Sequence, residues 1–296
     1  MSIAPIILFV YNRPVKTGKT LNALRQNFLA ENSDLYIFSD AAKDESAEEK
    51  VQEVRKIIHS ITGFQSVTII AVSENKGLAN SIIDGVTTVL KKYGKAIVIE
   101  DDLITSPNFL SFMNQALDIY ENNKQVISIS GFTFQVNVPN DYEYDAYFTR
   151  RMSSNGWGTW FDRWENIDWK IKDYDSFRWN LKKNLQFMLG GEDLPRMLAA
   201  YMKGKIHSWA IRFAYHQFKM QTYTIYPTTS KADNIGFNVT GTNTTRRKFY
   251  DKIDFQPSNE CTFRFPEKIV LNKKINRSFL KRHRTINRII ANYLIK

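Results

Sequence analysis

The feature that most limits what this chain can fold into is an alternation over its first 130 residues. Short apolar runs are followed, again and again, by amphipathic segments at helical spacing. "PIILFV" (5–10) is continuously apolar, as a strand buried on both faces should be. Pro14 suits the first turn of a helix, and Leu21, Leu24 and Phe28 are spaced onto one face of it. "DLYIFSD" (34–40) reads as a second strand, and Ser46 and Glu49 have capping-box spacing ahead of "VQEVRKIIHSI". "SVTIIAV" (66–72) is a third strand, "NKG" (75–77) a turn, residues 78–92 a third helix and "KAIVIE" (95–100) a fourth strand. Ser106 and Pro107 cap and start a helix that buries Phe109, Met113 and Leu117, and "VISISG" (126–131) is a fifth strand. The pattern predicts an α/β fold, Rossmann-like, with a mainly parallel central sheet flanked by helices.

In such sheets ligands bind beyond the carboxyl ends of the strands. The residues placed there are polar and varied: Tyr11, Asn12 and Arg13 after the first strand, Asp40 after the second, Asn75 and Gly77 after the third. After the fourth come three consecutive carboxylates, Glu100, Asp101 and Asp102, with apolar residues on both sides. Like charges on a buried framework cost energy unless a cation joins them. Hard oxygen ligands suit Mn²⁺ or Mg²⁺, which bind through one or two carboxylates and take substrate phosphates to complete their shell. The "GKT" at 18–20 is not a phosphate-binding loop: the glycine required five residues earlier is Arg13, and the segment lies inside a helix.

The second half differs in texture. "RRMSSNGWGTWFDRW" (150–164) carries three tryptophans with weak periodicity; Trp157, Trp160 and Trp164 would share one helical face. Trp160 and Trp164 read as core, whereas Trp157, between two glycines where backbone can approach a ligand closely, reads as a wall for a ligand. Helical patterns follow near 176–189, 193–203 and 208–220, then a strand "TYTIYP", then the polar, turn-rich "SKADNIGFNVTGTNTTRR", which reads as mobile.

The net charge of +11 is unevenly placed. From Lys268 to Lys296 the sequence has nine Lys or Arg and no Asp or Glu, so the rest carries about +2. A nearly neutral body without a nucleic-acid motif argues against a nucleic-acid partner. In the basic tail, Ile275, Phe279, Ile286, Ile289, Ile290, Tyr293 and Leu294 recur at steps of three and four. This predicts an amphipathic helix lying on an anionic membrane surface. The single cysteine, Cys261, fits a reducing compartment, and no secretory leader or membrane span is expected. The expected location is cytoplasmic, peripheral on the inner face of the cell membrane. The expected organisation is one domain over 1–265 with two lobes (1–130 and 131–265), followed by the tail at 266–296.

These motifs resemble the nucleotide-sugar glycosyltransferases of the GT-A fold, and most of all the N-acetylglucosaminyltransferase I type. Asn12–Arg13 matches the end of that type's first strand, Asp40 in "IFSDAAKDES" the end of its second, and "IEDDLITSPNFL" its fourth strand and Pro-started helix. "NGWGTWFDRW" matches a later glycine–tryptophan segment, and "NKGLANSIIDG" is similar to the Asn-x-Gly turn of the wider family. The resemblance covers residues 3–165, and 166–245 loosely. It makes the two lobes a nucleotide-binding half (1–130) and an acceptor-binding half (131–265) of a catalytic domain. It implies donor binding by Tyr11, Arg13, Asp40, Asn75, Asn80, Glu100 and Asp101, with Arg13 and Asp40 on the uracil and ribose side. It implies Mn²⁺ or Mg²⁺ on Asp102, and a sugar or acceptor wall at Trp157 and Trp209. The implied reaction is inverting transfer from a UDP-sugar to a glycan or lipid-linked acceptor in surface polysaccharide synthesis. The family's acidic base falls near Trp209 in "HSWAIRF", where this chain has Ala210. Asp193, His207 and Asp175 are the candidates that remain for the base. A sugar-1-phosphate nucleotidyltransferase would need a glycine-rich loop where this chain has "YNRPVKTG"; a non-catalytic sugar-binding module is the other alternative.

Overall fold

The structure, a computed structural model, describes residues 2–236 and 253–284. The alternation is realised as β1 (Ile6–Val10), α1 (Pro14–Arg25), β2 (Asp34–Ser39), α2 (Glu45–His59), β3 (Ser66–Ala71), α3 (Leu78–Tyr93) and β4 (Lys95–Glu100). After a short β5 (Leu103–Thr105) come α4 (Phe109–Ile119), β6 (Val126–Ser130), β7 (Ala146–Thr149) and β8 (Trp157–Trp160). The helices α5 (Phe161–Trp164), α6 (Tyr174–Arg178), α7 (Leu181–Phe187), α8 (Leu194–Met202) and α9 (Trp209–Met220) follow. The described chain closes with β9 (Tyr223–Pro227), β10 (Ala232–Asn234) and α10 (Lys273–Lys281).

Eight strands form one sheet in the order β3-β2-β1-β4-β8-β6-β9-β7. The first four run parallel, as do β6 and β9, while β8 lies antiparallel between β4 and β6. Alternate side chains of β1 feed two cores. Ile6, Leu8 and Val10 pack with α1, α2 and α4; Ile7 and Phe9 pack with α3, α8 and α9. That is why "IILFV" is apolar without a break: a strand covered on both faces has no solvent side on which to place polar residues.

Several boundaries differ from the sequence expectation, each for a local reason. The N-cap position of α2 is Asp44, so Ser46 and Glu49 lie inside the helix and form no capping box. The helix expected to start at Pro107 starts at Phe109 behind Asn108, because Leu103–Thr105 extend to pair with β10. Phe28 lies beyond the end of α1 and is 50% exposed. Trp157 and Trp160 sit on a strand, not a helix. Its period of two sends them to opposite faces, Trp157 with Trp164 into one core and Trp160 into the other.

The tail also departs from expectation. Ile275 and Phe279 of α10 are buried against Val136, Tyr147 and Tyr226, so this part of the apolar stripe faces the protein and not a bilayer. Upstream, Phe263 and Phe265 pack against Phe112 in the main core, and Tyr120 Oη donates to the Pro266 carbonyl at 2.7 Å. Packing therefore continues across the boundary expected at 265/266. Ile286, Ile289, Ile290, Tyr293 and Leu294 lie outside the described residues, as do 237–247 of the segment expected to be mobile. No helix among the described residues is long and apolar enough to cross a membrane.

Candidate active site

The carboxyl ends of β1, β2 and β4 bring one group of polar residues together. Asp101 and Asp102 follow β4 and are buried, and Arg13 reaches them from the end of β1. Its Nη1 donates to Asp102 Oδ2 at 2.9 Å and lies 3.3 Å from Asp101 Oδ1. Asp101 Oδ2 accepts from the Tyr11 backbone N–H at 3.4 Å. Lys16 adds a second positive charge near Asp101 and Asp102. Burial, then repulsion from Asp102 and Asp101, pushes the Glu100 carboxyl up to about 8 against the pull of Arg13. Burial raises Asp101 to about 6, with Arg13 again opposing. Arg13 and Lys16 thus face three carboxylates in a site rich in hard oxygen donors, of which one or two carboxylates could hold a divalent cation. Among the described residues no cluster of three or more His, Cys, Asp or Glu could hold a metal unaided, so added ligands would have to complete a shell.

Asp40 does a different local job. Its Oδ1 accepts from the backbone N–H of Ala41 (3.0 Å) and Lys76 (2.9 Å), and its Oδ2 from Gly77 N–H (2.9 Å) and Ser81 Oγ (3.4 Å). The carboxylate thus stitches the end of β2 to the turn that opens α3. Gly77 makes the turn possible with φ of +73°, a region that favours glycine. Asn75 Nδ2 donates to the Ala41 carbonyl at 2.7 Å and Asn80 Nδ2 to the Lys76 carbonyl at 3.0 Å, so both brace the same turn. Tyr11 Oη accepts from Lys43 N–H at 3.0 Å, tying the loop after β2 to the end of β1.

Asn234 and Gly236 sit in a polar stretch without a motif, so the sequence does not single them out. The Ile235 N–H donates to the Asp102 carbonyl at 2.8 Å. At Gly236 the backbone passes so close that an added Cβ would fall 2.1 Å from Asp102 Oδ2. Asn234 accepts from Gly236 N–H at 2.7 Å and donates from Nδ2 to Asn155 Oδ1 at 2.9 Å. Asn155 lines a cavity of about 240 Å³ whose wall also includes Arg151, Ala210, Tyr226, Arg282 and His283. Residues 234–236 therefore link the carboxylate rim to this cavity.

The expected sugar walls are corrected here. Trp157 and Trp209 are buried and stack on each other with ring centroids 4.8 Å apart, backed by Trp164 and Phe213. Neither offers a ring face to a ligand. Of the base candidates, Asp175 is exposed and pairs with Arg178 at 3.2 Å, and His207 is exposed ahead of α9; neither lines the cavity. Asp193 is buried behind the cavity wall, held by Arg151 Nη1 and Nη2 at 2.8 and 3.0 Å. His283 Nδ1 lies 4.0 Å from Asp193 Oδ1. In the sequence His283 carries no signal of its own, because its neighbourhood reads only as a basic helix.

No family model matches the sequence, and none of the curated proteins matches it. Solved structures similar to it include a mannosyltransferase from Pyrobaculum calidifontis in complex with GDP-Man and Mn²⁺. That match has 13% identity and TM-score 0.40, covering 56% of this chain and 46% of the other. The chain thus spans less than half the length of that protein. Mouse xyloside xylosyltransferase 1 is similar at 11% identity and TM-score 0.37, covering 74% of this chain and 82% of the other. An apo UDP-glucose pyrophosphorylase is similar at 12% identity and TM-score 0.38, covering 78% and 93%.

Proposed function

We propose that the chain is a metal-dependent glycosyltransferase of GT-A type that moves a sugar from a UDP-sugar to a glycan or lipid-linked acceptor. The observation that carries this reading is the carboxylate rim. Glu100, Asp101 and Asp102 converge with Arg13 at the carboxyl ends of parallel strands, where α/β sheets bind ligands. Asp102 would hold Mn²⁺ or Mg²⁺, which when bound offsets the charge of the departing diphosphate. Arg13 keeps the carboxylates together and adds positive charge beside the leaving group. Asp40, Asn75 and Asn80 hold the 75–77 turn in the shape that receives the nucleoside. Tyr11 positions Asp101 from one side, and residues 234–236 close over Asp102 from the other.

The reaction is read as one inverting displacement. An acceptor hydroxyl oxygen bonds to the anomeric carbon, the bond from that carbon to the diphosphate oxygen breaks, and the hydroxyl proton passes to a base. The cavity beside Asn155 is the acceptor's place in this scheme. Within it we assign the proton to His283, with Asp193 as the positioning carboxylate, since Asp193 is itself engaged by Arg151 through both oxygens. The test is calorimetric titration of UDP, GDP and a panel of their sugars with and without Mn²⁺, on the native chain and on Asp102→Ala. Metal-dependent binding of one nucleotide series, lost in the folded variant, is the expected result. Metal-independent binding, or unchanged binding in Asp102→Ala, would overturn the reading.

A further inference from the structure

The surface of the helical lobe carries an apolar patch that the site does not use. Trp179 is 80% exposed, Leu181 73%, Leu185 55% and Leu189 48%. All four lie within one short stretch around α7: Leu181 and Leu185 stand four residues apart on one side of that helix, and Leu189 follows in the 3-10 turn Met188–Gly190. The stretch is firmly attached beneath: Phe177 and Phe187 are buried and packed edge-on to each other and to Tyr215. The exposed side chains are therefore held outward by a rigid base.

Charge decides what this patch meets. Lys182 and Lys183 are exposed among the apolar residues, Arg178 at their edge is paired with exposed Asp175 at 3.2 Å, and from Ser176 to Gly191 there is no Asp or Glu. The Arg178 guanidinium lies 5.0 Å from the centre of the Trp179 ring. Tryptophan and leucine flanked by Lys and Arg is the composition of a surface that sits at the headgroup level of an anionic bilayer. The rings and aliphatic chains enter the interface while the cations stay among the phosphates. The patch also ends at the cavity: after Leu189, the Gly190 carbonyl accepts from Arg151 Nη1 at 3.3 Å, and Arg151 lines the cavity wall.

We propose that Trp179, Leu181, Leu185 and Leu189, with Lys182 and Lys183, form a docking surface for an anionic phospholipid bilayer. Docked this way, the protein holds the cavity near the membrane surface. The docking itself is independent of the reaction assigned above, because its readout is binding alone.

The experiment is co-sedimentation of the full chain with vesicles of phosphatidylcholine alone and of equal parts phosphatidylcholine and phosphatidylglycerol. It uses native protein, Lys182→Gln/Lys183→Gln and Trp179→Ser/Leu185→Ser. All four changed positions are exposed, so melting temperatures should stay native. The native chain is expected to prefer the anionic vesicles, and each double variant to lower that partition about tenfold or more. Equal sedimentation of native and variant proteins would overturn the proposal. So would a native dimer in light scattering that ignores vesicles and dissociates in the Trp179→Ser/Leu185→Ser variant, which would make the patch a protein interface.

Discussion

Arg13 Nη1 stands 2.9 Å from Asp102 Oδ2, so side chains of the protein itself, Arg13 with Lys16 nearby, bring positive charge to the carboxylate rim. An arginine placed this way and a divalent ion compete for the same carboxylate charge. Replacing Arg13 by Met should cost about 1–3 kcal/mol of stability without metal, because two buried carboxylates lose a charged hydrogen-bond donor. Saturating Mn²⁺ should then raise the melting temperature of Arg13→Met by more than it raises that of the native chain. Equal metal-induced shifts in the two proteins would show that Arg13 and the ion act at separate places.

Asp40 offers a second test, because its four accepted hydrogen bonds all come from its own backbone neighbour and the turn into α3. Asp40→Asn turns an acceptor into a donor facing backbone N–H groups, which should cost about 1–3 kcal/mol in urea denaturation. Nucleotide affinity should fall alongside stability. Affinity lost at native stability would mean instead that Asp40 touches the nucleotide directly.

Trp157 separates core from wall. Its ring is fully buried between Trp164 and Trp209, so Trp157→Ala should destabilise by about 3–5 kcal/mol through cavity formation. A ligand wall would lose affinity and keep its melting temperature; a core residue loses the melting temperature first.

For the proton transfer, His283→Gln should lower kcat by about 10²–10⁴-fold while the donor Kd stays near native, since a base acts on the acceptor proton. Asp193→Asn should shift the pH profile of kcat as well as lowering stability, because it leaves the half-buried Arg151 without its bidentate partner. Asp175→Ala and His207→Ala, both at exposed positions, should keep native turnover. Native kcat in His283→Gln would move the base elsewhere in the cavity wall.

Truncation tests the C-terminal packing. Ending the chain at residue 270 removes Ile275 and Phe279 from their contacts with Tyr147 and Tyr226, and should lower the melting temperature sharply or prevent folding. Ending it at residue 284 keeps those contacts and should leave a folded protein. Equal melting temperatures for the two truncations would mean that α10 adds nothing to the core.

What the sequence determined by itself was local and periodic. A strand covered on both faces, such as β1, must be apolar throughout, and helices over a sheet must be apolar on one stripe. The βαβ order and the polar residues at the strand ends, from Arg13 and Asp40 to Asp102, were therefore legible in the letters. What only the tertiary structure decided was non-local. Nothing near "WGTW" announces a strand wedged antiparallel between β4 and β6, because that pairing depends on partners about 30 and 60 residues away. That placement turned Trp157 from a possible wall into core. The spacing of Ile275 and Phe279 fits a membrane face as well as a protein face, since an amphipathic stripe records that one side is covered and not by what. Asn234, Gly236 and His283 carry no motif at all. Their relation to Asp102 and Asp193 exists only because the chain returns to the strand ends, and contact at that sequence separation leaves no periodic trace.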